Sequence, residues 1–549
     1  MVRKIILGLF FISIVFYADD IVEFSGSASL YGEYDDIEGD TTLESTSQVR
    51  FNVSPTISFY EMPISFNFQL SSLESQYRQA LNKYRISIQP EKMLRDKVNL
   101  PSFVFAISNV EFGTCYPYFT PYTLSGVPVS GGVVELNLGI LHLEGTKGQL
   151  QRSVDWSDTT YTDYAYARSL TAFNIGFGRK ESSHFHFIYM HSGDDTNSVD
   201  PLFVPAYTDS DSVEIVKPME NYVVGIDFKW DFPNEGFYIE SEIVGTEVTR
   251  DIRMPPLSYE DIPDLLTDLF KPRLSSAFDL AFNVGSGLNI HDTEIYGSVS
   301  MAGPGFESFG SPYLRNDFLG YEAGVKQNFF NNAMFLYGNL TNEKDNILGL
   351  KGSTTAFNSY ELGIGFNFTN FPYVDFAVTP YSEINDSLGL DRSSNMYSVN
   401  TGYDITVSDI TNYISVFYSF QDYVDTYDAN NYTAKAYSIS DEVSFSMPLS
   451  ISFALDYSES SFPDLKETVT TYDIGAYYTF FENWTNGIGF SASSTSEDAS
   501  GNSIYLNSSL YVGRFLDLGL DVERTVYNGE FEYEDYNELR IIGTISSSW

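Results

Sequence analysis

The sequence predicts an all-β protein that forms one closed, antiparallel transmembrane β-barrel. Apolar and polar residues alternate with a period of two over most of the chain. Connections alternate between short turns and longer polar segments. No segment after the N-terminal region approaches the roughly 18 consecutive apolar residues of a transmembrane helix. A membrane-spanning chain without such helices has to close its backbone hydrogen bonds in a barrel.

The alternation is clearest in two stretches of about ten residues, which is the length of a membrane-spanning strand. From Ile64 to Ser71 every even position is apolar and every odd one polar, and Tyr360 to Phe368 repeats the pattern. Lipid-facing and lumen-facing side chains alternate in this way along a barrel strand. We expect about thirteen strands in residues 319–549 and roughly ten to thirteen before them, an even total of about 22 to 26.

The connections predict an orientation. Short turns are expected at 331–332, 369–372, 448–449 and 513–515, and longer polar loops at 343–355, 382–395, 422–433 and 458–470. Bacterial outer-membrane barrels have short periplasmic turns and long extracellular loops. The acidic long loops are therefore expected outside the cell.

The composition agrees with a barrel wall and excludes some partners. Aromatic residues make up 16% of the chain, with 41 Tyr and 44 Phe, yet the mean hydropathy is −0.15. Acidic residues outnumber basic ones 74 to 30, so the net charge of −44 makes nucleic acid a poor partner. The single Cys115 permits neither an intrachain disulfide nor a Cys-x-x-Cys site.

The N-terminus has the order of a secretory signal peptide. Arg3 and Lys4 precede a mainly apolar run from Ile5 to Tyr17, and acidic residues follow Ala18. We expect Sec-type export with cleavage after residue 18, leaving 19–549 as the barrel. A retained anchor is the alternative, but the run is shorter than the about 20 residues of a spanning helix.

Two stretches depart from the alternation. Residues 73–100 are richer in Lys, Arg and Gln, which predicts a loop or a small element packed in the pore. Residues 254–274 place Ile262, Leu265, Leu266 and Leu269 at helical spacing. We expect a short amphipathic helix there, either as an ordered cap on a long loop or as an insert that narrows the pore or binds a partner.

The last strand alternates Leu539, Ile541, Gly543, Ile545, Ser547 and Trp549 with mainly polar residues. It resembles the C-terminal signal of Gram-negative outer-membrane barrels, and the whole chain is broadly similar to porin-like barrels. The resemblance implies outer-membrane lipid around the barrel, contact of Ile541, Ile545 and Trp549 with the barrel-assembly machinery, and closure against the first strand at residues 22–30. TonB-dependent receptors carry a plug domain before the first strand, whereas alternation here begins at Val22. A soluble secreted β-protein is the alternative.

The polar face of each strand, opposite its apolar face, should line the lumen. Their charged residues are mostly acidic, which would favour cations in a water-filled pore. Alternatively, opposite charges on neighbouring strands neutralise one another. The candidates are Arg50, Asp227, Lys229, Glu240, Glu242, Glu322, Lys326, Glu361, Asp375, Asp456, Asp473, Asp517, Asp521, Glu523 and Arg540.

Few residues suggest metal or catalytic chemistry. His184 and His186 share one face of a strand and could bind a transition metal if a third ligand approached, but simple lumen or rim residues are the alternative. Asp35-Asp36 and Asp194-Asp195 with Asp200 could hold divalent cations such as calcium in acidic loops, but they lack EF-hand spacing, so solvated loop charge is the favoured alternative. No Gly-x-Ser-x-Gly or His-Glu-x-x-His motif occurs, so we predict neither an enzyme nor a cofactor.

The sequence therefore favours a passive channel for small hydrophilic, cationic solutes across the outer membrane. Two alternatives stay open: a surface-exposed structural or adhesion barrel, and the barrel component of a secretion or surface-assembly complex. The solute and the oligomeric state are not determined by the sequence.

Overall fold

The protein is described here from a computed structural model. The structure describes residues 21–39, 45–73, 78–155, 164–199, 216–232, 236–257, 270–385, 387–426, 430–496, 499–513, 515–530 and 534–549. The predicted signal peptide lies outside these residues. So does most of the predicted helix in 254–274.

The described chain forms one sheet of 26 strands, each antiparallel to its neighbours in sequence. The strands are β1 Val22–Gly39, β2 Ser47–Phe59, β3 Met62–Ser71, β4 Lys83–Ile88, β5 Ile107–Cys115, β6 Val129–Leu138, β7 Leu141–Gln151, β8 Ala167–Phe177, β9 His184–Asp195, β10 Glu220–Asp231, β11 Phe237–Thr249, β12 Ser276–Ile290, β13 Thr293–Ala302, β14 Phe318–Phe329, β15 Met334–Asp345, β16 Ala356–Phe366, β17 Tyr373–Asn385, β18 Leu390–Val407, β19 Ile410–Asp425, β20 Tyr432–Ser444, β21 Leu449–Ser461, β22 Lys466–Phe480, β23 Trp484–Thr495, β24 Ser500–Val512, β25 Leu516–Asn528 and β26 Tyr536–Ser548. Short 3-10 helices at Pro90–Lys92 and Ser102–Ala106 lie between β4 and β5.

The barrel closes where β26 pairs with β1. Leu30 lies opposite Ile545 and Tyr34 opposite Ile541. The seam continues beyond the ladder, because Gly26 and Trp549 exchange backbone hydrogen bonds of 3.0 and 3.1 Å. The last strand therefore seals against the first, as expected, although its register covers Ser27–Gly39 and not only the first residues of β1.

The outer surface is apolar. In β22, Tyr472, Ile474 and Phe480 are exposed, while the intervening Asp473 and Gly475 face the other side. Large exposed hydrophobic patches of this kind are rare on water-facing surfaces. Together with the closed, even-numbered strand ring, this band makes the architecture that of a transmembrane barrel of the kind found in bacterial outer membranes.

Aromatic side chains collect where short turns join the strands. Phe330 in the β14–β15 turn lies 6.5 Å from Phe368, and the Phe480 ring lies 5.4 Å from that of Trp484 beside the β22–β23 turn. Aromatic girdles mark the membrane–water interface of barrels. Among the described residues, no helix is both long and apolar enough to cross a membrane.

The strand count is confirmed. β14 to β26 supply the thirteen strands expected in residues 319–549, and the total of 26 is at the upper end of the expected range. The predicted loop at 382–395 was too long, because β17 continues to Asn385 and β18 begins at Leu390. Strands that rise beyond the membrane meet water on both faces, so their ends lose the apolar alternation while keeping the hydrogen-bond ladder.

The two irregular stretches have different outcomes. Within 73–100, β4 pairs with β3 and β5, so this part belongs to the wall and is not a pore insert. Of 254–274, the described ends lie beside β11 and β12, and the Phe270 ring contacts those of Tyr222 and Phe278. Phe278 is an exposed, lipid-side residue, so Phe270 does not face the lumen.

Candidate functional site: a lumen narrowed by two loops

Two loops from the long-loop rim fold into the barrel. The first lumen loop, residues 116–128, joins β5 to β6, and the second lumen loop, residues 303–317, joins β13 to β14. Their apolar side chains are buried against the wall of β6–β13 and the first residue of β14. The cluster contains Phe119, Tyr122 and Leu124 from the first loop, Phe306 and Phe309 from the second, and Leu170, Ala172, Ile188, Met190, Val223, Val244, Val248 and Ala281 from the wall.

The wall residues in this cluster face the lumen. On β9, buried Ile188 and Met190 alternate with Phe187, which is exposed on the lipid side. On β10, buried Val223 likewise precedes exposed Val224. These strands are therefore apolar on both faces, because the loops replace water on the inner one.

Hydrogen bonds hold the two loops to each other. The Ser125 amide donates to the Gly310 carbonyl at 2.9 Å, and the Ser308 hydroxyl donates to the Thr123 carbonyl at 2.6 Å. A side chain at Gly310 would approach the Thr123 carbonyl oxygen to 2.5 Å, so the backbones can meet only because this residue is glycine. The loops therefore form one paired insert.

Polar side chains of the wall anchor the insert. Asn221 on β10 accepts from the Phe309 amide at 3.0 Å and donates to the Glu307 carbonyl at 3.1 Å. Glu242 on β11 accepts from the Tyr122 amide at 3.0 Å. Both anchors are buried, so the backbone groups of the loops find partners without water.

The insert occupies one side of the lumen. Buried wall residues are concentrated in β5 to β13, whereas those of β14 to β26 are few among the described residues. On that second side, side chains such as Glu361 and Asp473 on the polar faces of the strands remain partly exposed. Among the described residues, the insert therefore leaves the polar faces of the C-terminal strands largely uncovered.

The predicted lumen candidates lie on strands spread around the barrel, and the structure does not gather them into one cluster. Asp227 lies opposite Glu242 and Lys229 opposite Glu240 on β10 and β11. Arg50 lies opposite Tyr31, and Glu523 opposite Arg540, near the seam. The remaining candidates, spread over β14 to β25, are Glu322, Lys326, Glu361, Asp375, Asp456, Asp473, Asp517 and Asp521.

Only some of these charged candidates form ion pairs. Arg540 donates two hydrogen bonds to Glu33, at 2.9 and 2.7 Å. Carboxylates of β22 and β25 instead accept from neutral groups: Asp473 from Tyr505 at 3.1 Å, Asp517 from Ser509 at 3.3 Å and Asp521 from Asn507 at 2.8 Å. No lysine or arginine of the described residues forms an ion pair with these three carboxylates.

A row of polar residues crosses the inner wall close to the short-turn rim. From β6 to β11, successive cross-strand partners are Asn137, His142, Gly176, His186, Asp227 and Glu242. Because Gly176 has no side chain, the His142 and His186 rings stack over it with centroids 4.8 Å apart. His184 stacks on the other face of His186 at 4.6 Å.

The row brings a carboxylate to the two histidines predicted as metal candidates. Asp227 Oδ2 lies 2.9 Å from His184 Nε2, and one ligand atom from each of His184, His186 and Asp227 lies within 4.8 Å of the other two. The predicted acidic loop sites differ from expectation. Asp35 and Asp36 belong to β1, Asp194 forms an ion pair with Arg168 at 2.7 Å, and Asp200 lies outside the described residues.

The lumen loops were not predicted from the sequence. Both contain aromatic residues without alternation, which reads as irregular structure. A signal was present in β9, where His-Phe-His-Phe-Ile-Tyr-Met has apolar residues on both faces from Phe187 onward. A strand in a water-filled barrel has a polar inner face, so this pattern indicates that something covers it.

Comparison with known proteins finds similar solved structures. A BenF-like porin from Pseudomonas fluorescens aligns over 62% of this chain and 95% of its own, with 11% identity and a TM-score of 0.32. Pseudomonas aeruginosa OccK9 (OpdG) aligns over 61% and 92%, with 12% identity and a TM-score of 0.31. The translocation pore of the P pilus usher PapC aligns over 96% and 99%, with 9% identity and a TM-score of 0.37. No protein-family profile and no curated protein matches the sequence.

Proposed function

We propose that the protein is a channel in a bacterial outer membrane that admits small hydrophilic solutes and prefers cations. The observation that carries this proposal is an asymmetry among the described residues: the paired loops pack against the side of β6 to β13, while polar side chains of β14 to β26 such as Glu361 and Asp473 remain partly exposed. A solute passing there meets hydroxyl, amide and carboxylate groups.

Cation preference is supported by the unneutralised carboxylates on that face. Asp473, Asp517 and Asp521 accept hydrogen bonds from uncharged donors, so no basic side chain offsets them in these contacts. Fixed negative charge along a narrow, low-dielectric wall concentrates cations and repels anions.

Single-channel conductance of the folded protein in a planar bilayer tests this function. We expect stable openings and, under a salt gradient, a reversal potential of the sign given by cation permeation. A barrel that is folded, as shown by its resistance to detergent denaturation, and yet never opens would contradict the channel.

The paired loops support a second candidate, a plugged barrel with a structural role at the cell surface or in an assembly complex. The Tyr122–Glu242 and Phe309–Asn221 hydrogen bonds fix the loops to the wall. If the wild type is silent and conducts only after the loops are loosened, the plugged barrel is the better description.

A further inference from the structure

We propose that His184, His186 and Asp227 bind a divalent transition-metal ion, of the zinc and copper class, on the lumen wall. The two histidines are next-but-one neighbours on β9, and Asp227 on β10 lies directly opposite His186. The three ligand atoms lie within 4.8 Å of one another. Ligands of a tetrahedral zinc ion are roughly 3.4 Å apart, so modest side-chain rotations close the site.

The backbone sets which nitrogen of each ring carries the proton. His184 Nδ1 lies 2.7 Å from the Ser182 carbonyl oxygen, and His186 Nε2 lies 2.9 Å from that of Gly178. A carbonyl oxygen only accepts, so these nitrogens donate. A neutral imidazole has one N–H, which leaves a lone pair on His184 Nε2 and on His186 Nδ1.

This arrangement is the one that metal-binding histidines use. A ligating imidazole donates its second N–H to a carbonyl or carboxylate, which fixes the tautomer and directs the free lone pair at the metal. Here two neighbouring rings are fixed in this way by carbonyls of the β8–β9 turn, and one ligand atom of each ring lies within 4.8 Å of an oxygen of the same carboxylate.

One feature of the site is unfavourable and would be relieved by an ion. His186 is fully buried, and its Nδ1 has no hydrogen-bond partner in the described part of the protein. His184 Nε2 lies 2.9 Å from the Asp227 carboxylate, a contact that either a proton on the ring or a bound cation makes favourable. A cation bound by the three side chains would also give the buried His186 nitrogen a partner and offset its desolvation.

The donor set selects the class of ion. Two imidazole nitrogens and one carboxylate oxygen suit zinc, copper and nickel, whereas calcium and magnesium prefer oxygen ligands alone. The Asp227 side chain is 19% exposed, which gives the ion a route from the lumen and leaves room for a water ligand.

The test measures zinc binding to the full-length folded barrel by equilibrium dialysis after chelator treatment. Millimolar magnesium in the buffer occupies the carboxylates of this strongly acidic chain and leaves nitrogen sites free. We expect one zinc ion per chain to be retained. Cobalt at the same site should give the visible absorption of a four-coordinate complex.

Three variants locate the ion. Asp227→Asn keeps the size of the side chain, and His186→Ala removes a ligand. Each variant should weaken zinc binding by at least about 100-fold. Loss of a residue that only hydrogen-bonds to a ligand weakens metal binding by about 10- to 100-fold. His191→Ala is the matched control, because His191 lies on the same strand but stacks on Tyr222 at 4.3 Å and pairs with Glu220. Its zinc affinity should equal that of the wild type.

A wild-type barrel that retains no zinc in magnesium buffer would overturn the site and show that His184 and Asp227 are an ordinary imidazolium–carboxylate pair. Zinc binding unchanged in folded Asp227→Asn and His186→Ala barrels would also overturn it, by placing the ion elsewhere. Either result leaves the channel proposal untouched, because conductance is measured separately.

Discussion

Glu242 on β11 accepts a hydrogen bond from the backbone amide of Tyr122 at 3.0 Å, across 120 residues of sequence. This contact ties the first lumen loop to the barrel wall. Glu242 is only 5% exposed, so water cannot readily replace either partner.

We expect Glu242→Ala to loosen the first lumen loop. The buried Tyr122 amide would lose its partner, at a cost of about 1–3 kcal/mol. Single-channel recordings should show larger or noisier openings than the wild type. Glu240→Ala is the control, because it removes a carboxyl group from the same strand face two residues away; equal noise in both variants would show that loss of a carboxyl group, and not loss of the anchor, is responsible.

We expect Gly310→Ala to force the two lumen loops apart. The added methyl group would lie 2.5 Å from the Thr123 carbonyl oxygen and 2.8 Å from Met190 Sδ. Overpacking of this kind costs about 1–3 kcal/mol, measurable as a lower free energy of unfolding in urea.

Gly352→Ala provides the matched control, since a methyl group there meets no atom within 4 Å. Its stability should stay within about 0.5 kcal/mol of the wild type. Equal stability of the Gly310 and Gly352 variants would contradict the close approach of the loops.

The ion preference should depend on the carboxylates of β22 and β25. Replacing Asp473, Asp517 and Asp521 together by Asn keeps side-chain size and removes three negative charges from the lumen. We expect the cation-to-anion permeability ratio, obtained from reversal potentials, to fall toward one. The double variant Ser491→Ala, Ser503→Ala changes polar groups on the neighbouring strands without changing charge, and should keep the wild-type ratio.

The second lumen loop should loosen in acid. Burial alone would raise the pKa of Asp317, but hydrogen bonds from the Lys351 ammonium and the Ile347 amide outweigh it and hold the pKa below the usual 3.8. A carboxyl group whose pKa is lower in the folded than in the unfolded protein stabilises the folded state. This stabilisation is complete above the pKa of the unfolded state and is lost as the pH falls through the pKa of the folded state. Asp317 should therefore anchor the second lumen loop at neutral pH and cease to do so only below about pH 3.8.

Conductance noise measured as a function of pH checks this anchor. Asp317→Asn should show at neutral pH the noise that the wild type shows only in acid, and its noise should change less with pH. If the wild type and Asp317→Asn respond identically to acid, the Asp317–Lys351 contact does not hold the loop.

The sequence predicts the wall well because a strand's two faces are set by local alternation. The turn at Asn331-Asn332 was predicted from residues that are adjacent in sequence. The pairing of the last strand with the first was predicted from the alternation within the last strand. The loop ends were misjudged where, as at Ser382, polar residues continue a strand into water.

The lumen insert and the histidine row could not be found in this way because they depend on register. His186 meets Asp227 only through the β9–β10 pairing, and Gly310 meets Thr123 only after both loops fold inward. Period-two alternation indicates which face a side chain occupies, but it does not indicate its cross-strand partner.

The seam between β1 and β26 has a consequence for how the chain folds. The first strand cannot obtain its second hydrogen-bonded neighbour until β26, about 500 residues later in the sequence, has been synthesised and delivered to the membrane. During that interval both terminal strands are open edges, and open edges invite pairing with other chains. Contacts so distant in sequence also form slowly. This architecture therefore requires that the unfolded chain be kept from pairing with other chains, and that β26 pair promptly with β1.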